Sequence, residues 1–207
     1  MRRSYARGRL SEANALPTWL DQLRAWFAEA ETDPTVAEVN AIQLATADAG
    51  GQPSVRTVLV KAMDERGIVF YTGYDSAKGR DLMQNPHASA VFAWLSVERQ
   101  VRLSGPVERV SRAETEAYFA SRPRGSQIGA WASAQSEVVG SREELEAQVA
   151  AVVARFGDAP IPAPAGWGGF LLRPEQVEFW QGREDRLHDR LRYRQQGPGW
   201  VLERLAP

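Results

Sequence analysis

The sequence predicts a mainly β protein with peripheral helices, built as a small closed antiparallel barrel. Three observations predict it. From Asn40 onward, short runs of β-forming residues are separated by tight turns at Gly50-Gly51 and at residues 64–67, and turns that short join neighbouring strands antiparallel. No strand–helix–strand rhythm runs through the chain, which argues against a doubly wound sheet or a TIM barrel. Helical patterns inserted between the strands argue against a pure sandwich. The 207 residues are 43% hydrophobic and 25% charged, enough for one core, and no linker is long enough to separate a second, so residues 1–207 are expected to form a single domain.

A leading helix over residues 14–32 comes first. Leu16, Trp19, Leu20, Leu23, Trp26 and Phe27 recur at helical spacing, Asn14 is placed to cap them, Pro17 falls in the first turn, and Asp33-Pro34 ends the pattern. Strands are expected over 41–47, 55–62 and 68–72, a short helix over 75–84 stopped by Pro86, and strands over 88–95 and 100–110. Ser111 with Glu114 and Ser141 with Glu144 have capping-box spacing and open helices over 111–120 and 141–156. Between them SRPRGSQIGAWASAQS shows no period, yet Ile128 and Trp131 argue that it is packed. The Pro-rich GDAPIPAPAG then leads to closing strands over 170–172, 177–181, 186–194 and 200–205.

Composition removes several classes of function. With 25 Lys plus Arg against 26 Asp plus Glu, the net charge is -1, so no global positive field exists to hold nucleic acid or anionic lipid. The absence of Cys removes disulfides and thiolate chemistry, and two His make a His-only metal site unexpected. No apolar run approaches the roughly 20 residues of a membrane span, and the N-terminus lacks the apolar segment of a secretory signal, so a cytoplasmic protein is expected. Among the basic residues only Lys61 and Lys78 are Lys, and a compact ammonium is a different ligand from a planar guanidinium.

Four separated segments offer anion-holding groups. RTVLVK sets Arg56 and Lys61 five residues apart, an odd spacing that points them to opposite faces of a strand unless a bulge intervenes. YTGYDSAKGRD places Lys78 at a helix start behind Asp75 and Ser76, where amides and ammonium form an anion seat. SRPRGSQIGAWASAQS carries Arg122, Arg124, Ser126, Gln127, Gln135 and Ser136, with Tyr118 just upstream. EFWQGREDRLHDR puts Arg186, His188 and Arg190 at i, i+2 and i+4, one face of a strand. Each segment alone also reads as solvated surface, Trp167 and Trp180 read as core, and Arg2 and Tyr5 read as a frayed terminus. Four such segments in one neutral protein point together to anion recognition.

Taken in order, RTVLVK, FYTGYDSAKG, ERQVRLSG, YFASRPRGSQIGAWASAQS, WGGF, EFWQGREDRLHDR and the terminal ERLAP resemble the pyridoxamine 5'-phosphate oxidase family, over nearly the whole chain from about residue 33 to residue 207. The resemblance implies an FMN-binding split β-barrel, and a homodimer with FMN at the subunit interface. It implies oxidation of pyridoxamine or pyridoxine 5'-phosphate to pyridoxal 5'-phosphate, with O2 reduced to H2O2. By motif, the FMN ligands fall on Arg56, Thr57, Val58, Leu59, Val60, Lys61, Tyr71, Thr72, Lys78, Gln100, Gln135, Ser136, Trp180 and Arg190. The substrate falls to Lys61, Tyr118, Arg122 and Ser126 at its phosphate, and to Arg186 and His188, the catalytic pair, over its ring. Arg2 and Tyr5 correspond to an N-terminal segment, residues 1–13, that covers the substrate. Where many relatives have a basic residue just before the Lys of the phosphate loop, this chain has Ala77. Two other readings compete: a related flavin oxidase of the phenazine type, and a flavin or pyridoxal phosphate binding protein without turnover.

Overall fold

A computed structural model describes the chain at residue 5 and over residues 7–207. Helix α1 (Trp19–Thr32) is followed by β1 (Ala41–Ala47), β2 (Pro53–Leu59), β3 (Ala62–Asp64), β4 (Gly67–Gly73) and the short α2 (Ala77–Gln84). Next come β5 (His87–Trp94), the long β6 (Arg99–Arg109), α3 (Arg112–Ser121), α4 (Arg124–Ala132) and α5 (Arg142–Phe156). The chain closes with β7 (Trp167–Leu172), β8 (Gln176–Gln181), β9 (Asp189–Gln196) and β10 (Gly199–Arg204). Among the described residues every strand pairing is antiparallel.

The length of β6 sets the architecture. Its first half pairs β8, from Arg99 opposite Gln181 to Ser104 opposite Gln176, and its second half pairs β7, from Val107 opposite Leu172 to Arg109 opposite Phe170. Through β7 the sheet passes to β4, which lies beside β2, so β2-β1-β5-β6-β7-β4 curls into a barrel while β8-β9-β10 leaves as a separate arm. This is the expected antiparallel split barrel, with its helices at the periphery. No helix among the described residues is long and apolar enough to cross a membrane.

Strand alternation builds the core. Ile42 and Leu44 of β1, Ala90 and Phe92 of β5 and Val101 and Leu103 of β6 all turn inward, with Phe70 and Phe170 from the far wall. Helix α1 lays Trp19, Leu20, Leu23, Trp26 and Ala30 on this core, and each large apolar side chain so buried contributes about 1.5–3 kcal/mol.

Four expectations are corrected. Helix α1 begins at Trp19, because Thr18 Oγ1 accepts the Asp21 amide at 3.0 Å and so caps it; Asn14 instead accepts the Ser11 amide in a separate turn, and Pro17 precedes the cap. The strand expected over 55–62 breaks after Leu59, where Val60 N–H donates to Asn40 and Lys61 N–H to Val69, so the alternation that set Arg56 against Lys61 does not run through. The aperiodic 121–136 stretch contains α4. The strand expected from Arg186 begins only at Asp189, because Glu184–Arg186 forms a tight 3-10 turn with Asp185 at φ 54° and Arg186 at φ 64°. Arg186, His188 and Arg190 therefore do not share one strand face.

Candidate active site

The residues singled out in the sequence collect around two hollows. The larger is a cavity of about 600 Å³ between β4, the turn into α2, and α3 and α4. At its α2 side, Ser76 Oγ caps the helix by accepting the Gly79 amide at 3.3 Å. Gly79 is needed there, since a Cβ would collide with the Tyr74 carbonyl oxygen. This tight turn carries Lys78 inward. It is 7% exposed, its Nζ donates to Thr72 Oγ1 at 3.2 Å, and among the described residues it has no carboxylate partner. Burial first, and the neighbouring Arg56 guanidinium second, push its pKa below the usual lysine value. Thr72 Oγ1 and the Gly73 amide donate to Gln135 Oε1 at 2.8 and 3.1 Å, which leaves the Gln135 amide nitrogen as a further donor beside them. Arg56 stands behind this group and serves the barrel, donating to Thr46 Oγ1 at 2.7 Å and Ser54 Oγ at 2.5 Å, with Asp81 at 3.7 Å.

A second cationic group stands in the cavity wall itself. Arg122, at the end of α3, spreads over the Trp167 ring at 4.7 Å, and its Nη1 is buried without a hydrogen-bond partner. Burial pushes the Arg122 pKa down and the Tyr118 pKa up. Tyr118 stacks on Tyr71 at 3.9 Å, and Tyr71 on Trp167 at 5.5 Å. Lys61 and Ser126 line the cavity as exposed groups. Two neighbours point elsewhere: Gln127 is buried and ties α4 to α3 through the Phe119 carbonyl, and Arg124 donates to the carbonyls of Gly157 and Ala159. Trp167, which the sequence suggests as core only, is both core and the platform for Arg122. The adjacent Gly168-Gly169 is the available signal, since side chains there would displace the rings of Tyr74 and Tyr71.

The second hollow is a groove of about 270 Å³ on the β6-β8-β9 face, lined by Gln100, Trp180 and Arg190. His188 packs 4.6 Å from the Trp180 ring, and Tyr5 stands edge-on to both at 5.9 Å. The His188 Nδ1 accepts the Arg183 amide at 3.1 Å, so the neutral ring carries its proton on Nε2. Arg186 occupies the strained left-handed turn just before it. Over residues 10–12 the chain is tied down and not frayed: Leu10 N–H donates to Asp189 at 3.1 Å and Arg204 pairs with Glu12 at 2.8 Å. Arg2 lies outside the described residues.

The structure thus gathers Lys61, Tyr71, Thr72, Tyr118, Arg122, Ser126 and Gln135 around the cavity, with Lys78 behind Thr72, and Gln100, Trp180 and Arg190 around the groove, with His188 and Tyr5 packed on Trp180. Leu59 lines the cavity, Val58 and Val60 pack on the core, Thr57 is exposed, and Ser136 follows Gln135 at φ 74°. The two hollows share no lining residue within one chain.

Comparison with known proteins extends this picture. A family model described as pyridoxamine 5'-phosphate oxidase matches residues 28–156, and one described as the pyridoxine 5'-phosphate oxidase C-terminal dimerisation region matches residues 167–207. Proteins named pyridoxine/pyridoxamine 5'-phosphate oxidase from Saccharopolyspora erythraea and Bordetella avium are 55% and 56% identical to it, covering 100% of this chain and 94% and 98% of their own. Among solved structures, PhzG from Burkholderia lata, in complex with tetrahydrophenazine-1-carboxylic acid, superposes with a TM-score of 0.84 at 33% identity, over 94% of this chain and 98% of that one. A pyridoxamine 5'-phosphate oxidase-related, FMN binding protein from Nostoc punctiforme shares the fold, with a TM-score of 0.73 at 20% identity over 93% of this chain and 100% of that one.

Proposed function

The chain belongs to the pyridoxamine 5'-phosphate oxidase family, and from that premise we propose that it is an FMN-dependent oxidase producing pyridoxal 5'-phosphate. Pyridoxine 5'-phosphate and O2 give pyridoxal 5'-phosphate and H2O2; pyridoxamine 5'-phosphate, O2 and water give the same products plus ammonia. The observation that carries this reading is two cations without anions at one cavity, Arg122 in its wall with a buried unpartnered Nη1 and Lys78 buried just behind the lining residue Thr72. A cofactor phosphate and a substrate phosphate fill that requirement. The donor set fits the phosphate of FMN, since the Lys78 ammonium lacks an anion and the Gln135 amide nitrogen keeps its donors, both beside Thr72.

Bound flavin supplies the two-electron redox step and its return by O2. The chain's own residues do the positioning. Lys78, Thr72 and Gln135 hold the cofactor phosphate. Arg122, Lys61, Ser126 and the Tyr118 hydroxyl hold the substrate phosphate, so that binding energy remote from the reacting carbon orients the ring. The His188 Nε2–H donates to the substrate ring or its substituent, Arg186 stabilises negative charge developing on the ring, and Tyr5 with the N-terminal segment covers them.

Cavity and groove lie apart on one chain, and we propose that a homodimer brings the groove of one protomer over the cavity of its partner. The outer face of β1 and β5 suits such a contact: Ala41, Ala45 and Ala93 keep it low, and Gln43 Oε1 there is buried with no partner of its own. The similarity to PhzG favours a second reading, oxidation of a phenazine precursor, but the relatives above 50% identity and the Arg122 seat weigh toward the phosphorylated vitamers. A visible spectrum decides. Anaerobic pyridoxine 5'-phosphate should bleach the bound flavin, and air should restore its colour with release of pyridoxal 5'-phosphate and H2O2. A flavin that binds but stays oxidised sinks the proposed substrate.

A further inference from the structure

Glu178 is a buried carboxylate with no role in the chemistry above, 6% exposed at the middle of the β6-β8-β9 face. In register it faces Arg102 on β6 and Arg192 on β9, one row along from Gln100, Trp180 and Arg190. Arg192 is taken up by Glu203, at 2.6 Å. The two Glu178 oxygens go to the other guanidiniums: Oε2 accepts from Arg102 Nη2 at 2.6 Å and Oε1 from Arg190 Nε at 2.7 Å. Arg190 therefore reaches diagonally, away from the residue opposite it, and its Nη1 is fixed as well, on the Ala206 carbonyl at 2.8 Å. A guanidinium held at two of its three nitrogens cannot rotate. The third, Nη2, has no protein acceptor among the described residues, and Arg190 lines the groove with Trp180 and Gln100. One carboxylate between two guanidiniums also leaves the groove a net positive charge.

We infer that Glu178 is a positioning residue: it locks Arg190, and with it Arg102, so that free N–H donors face the groove and are held ready for the acceptor atoms of a bound flavin. The inference rests on the flavin reading. Its physical content is orientation, because a free arginine loses the entropy of several torsions on binding and a pinned one does not. Glu178 itself lines the groove, but both its oxygens are taken by guanidiniums, so it acts through Arg190.

The test is a titration of apoprotein with FMN, followed by quenching of flavin fluorescence, together with the visible spectrum of the bound flavin. Glu178→Gln keeps the volume and removes the charge. It should weaken FMN binding about tenfold, the loss of one charge-assisted hydrogen bond, and shift the flavin absorption bands. Arg190→Ala should do the same, and the double variant should be no worse than Arg190→Ala alone. Glu178→Asp should recover some of the affinity. Arg190→Lys, which retains charge and loses the fork, covers the case in which Glu178→Gln does not fold, and it should bind as weakly as Arg190→Ala. Wild-type affinity and spectrum in Glu178→Gln or Arg190→Lys would overturn the inference, as would losses that simply add in the double variant. A wild-type protein that binds no FMN would remove the flavin reading itself, a result distinct from either.

Discussion

Two charged side chains are buried among the described residues, Lys78 at 7% and Glu178 at 6% exposed, and their surroundings are opposites. Lys78 has one hydroxyl and a like-charged neighbour. Glu178 has two guanidiniums within 2.7 Å. A buried charge without a counter-ion costs folding free energy, and one with good partners is costly only when a partner is removed. On the proposed reading the cavity end awaits a ligand that brings its own negative charge, whereas at the groove end the buried carboxylate is already satisfied and the guanidiniums around it need only to be kept in shape.

The sharpest way to break this contrast is to delete each charge and compare apoprotein stability by denaturant titration. Glu178→Ala should destabilise by about 3 kcal/mol, since it strands two guanidiniums, one of them half exposed. Lys78→Met should leave the apoprotein as stable as wild type or more so, while FMN affinity falls about tenfold to a hundredfold. Equal destabilisation by both would show that Lys78 is already satisfied without ligand. The next effect in size separates substrate holding from turnover. Arg122→Ala should raise KM for the phosphorylated substrate about tenfold with a smaller change in kcat, and Arg186→Ala should lower kcat with a smaller change in KM. Turnover losses alone in both would erase that division.

The smallest expected effect is in pH. The native Lys78 pKa lies below its unfolded value of about 10.4, so between the two the unfolded chain binds more protons and apoprotein stability rises with pH. A bound phosphate requires the charged ammonium, so FMN affinity should fall across that same window. In Lys78→Met both slopes should flatten.

Most strands and both helix starts are legible because alternation and Ser-x-x-Glu spacing are local signals; Ser111 and Glu114 satisfy each other as the spacing requires, whereas Ser141 caps the Glu144 amide but the Glu144 carboxylate goes to the Gly140 amide. What is not legible depends on distant partners. Helix α4 contains Gly125 and Gly129 and has little intrinsic tendency to form, yet Gln127 ties it to α3 and Trp131 Nε1 reaches the Pro162 carbonyl at 2.8 Å. The left-handed turn at Asp185 and Arg186 has no glycine to announce it. The site residues are legible as types and not as places: Lys78 and Arg122 read as anion ligands, but nothing local foretells that one is nearly sealed from water or that the other lies on Trp167. Glu178 escapes notice in the sequence because a lone acidic residue in a strand reads as solvent-facing until its neighbours across the sheet are known.

Because cavity and groove occupy separate faces of one chain, the proposed dimer can be interrogated by mixing defects. A protomer carrying Lys78→Met and a partner carrying Arg190→Ala, each weak in FMN binding as its own homodimer, would form a mixed dimer in which one centre inherits both lesions and the other inherits neither. Two weak-binding preparations, unfolded and refolded together, would then regain one centre per mixed dimer with wild-type FMN affinity, and at FMN levels too low for either homodimer the two alleles would complement in one cell.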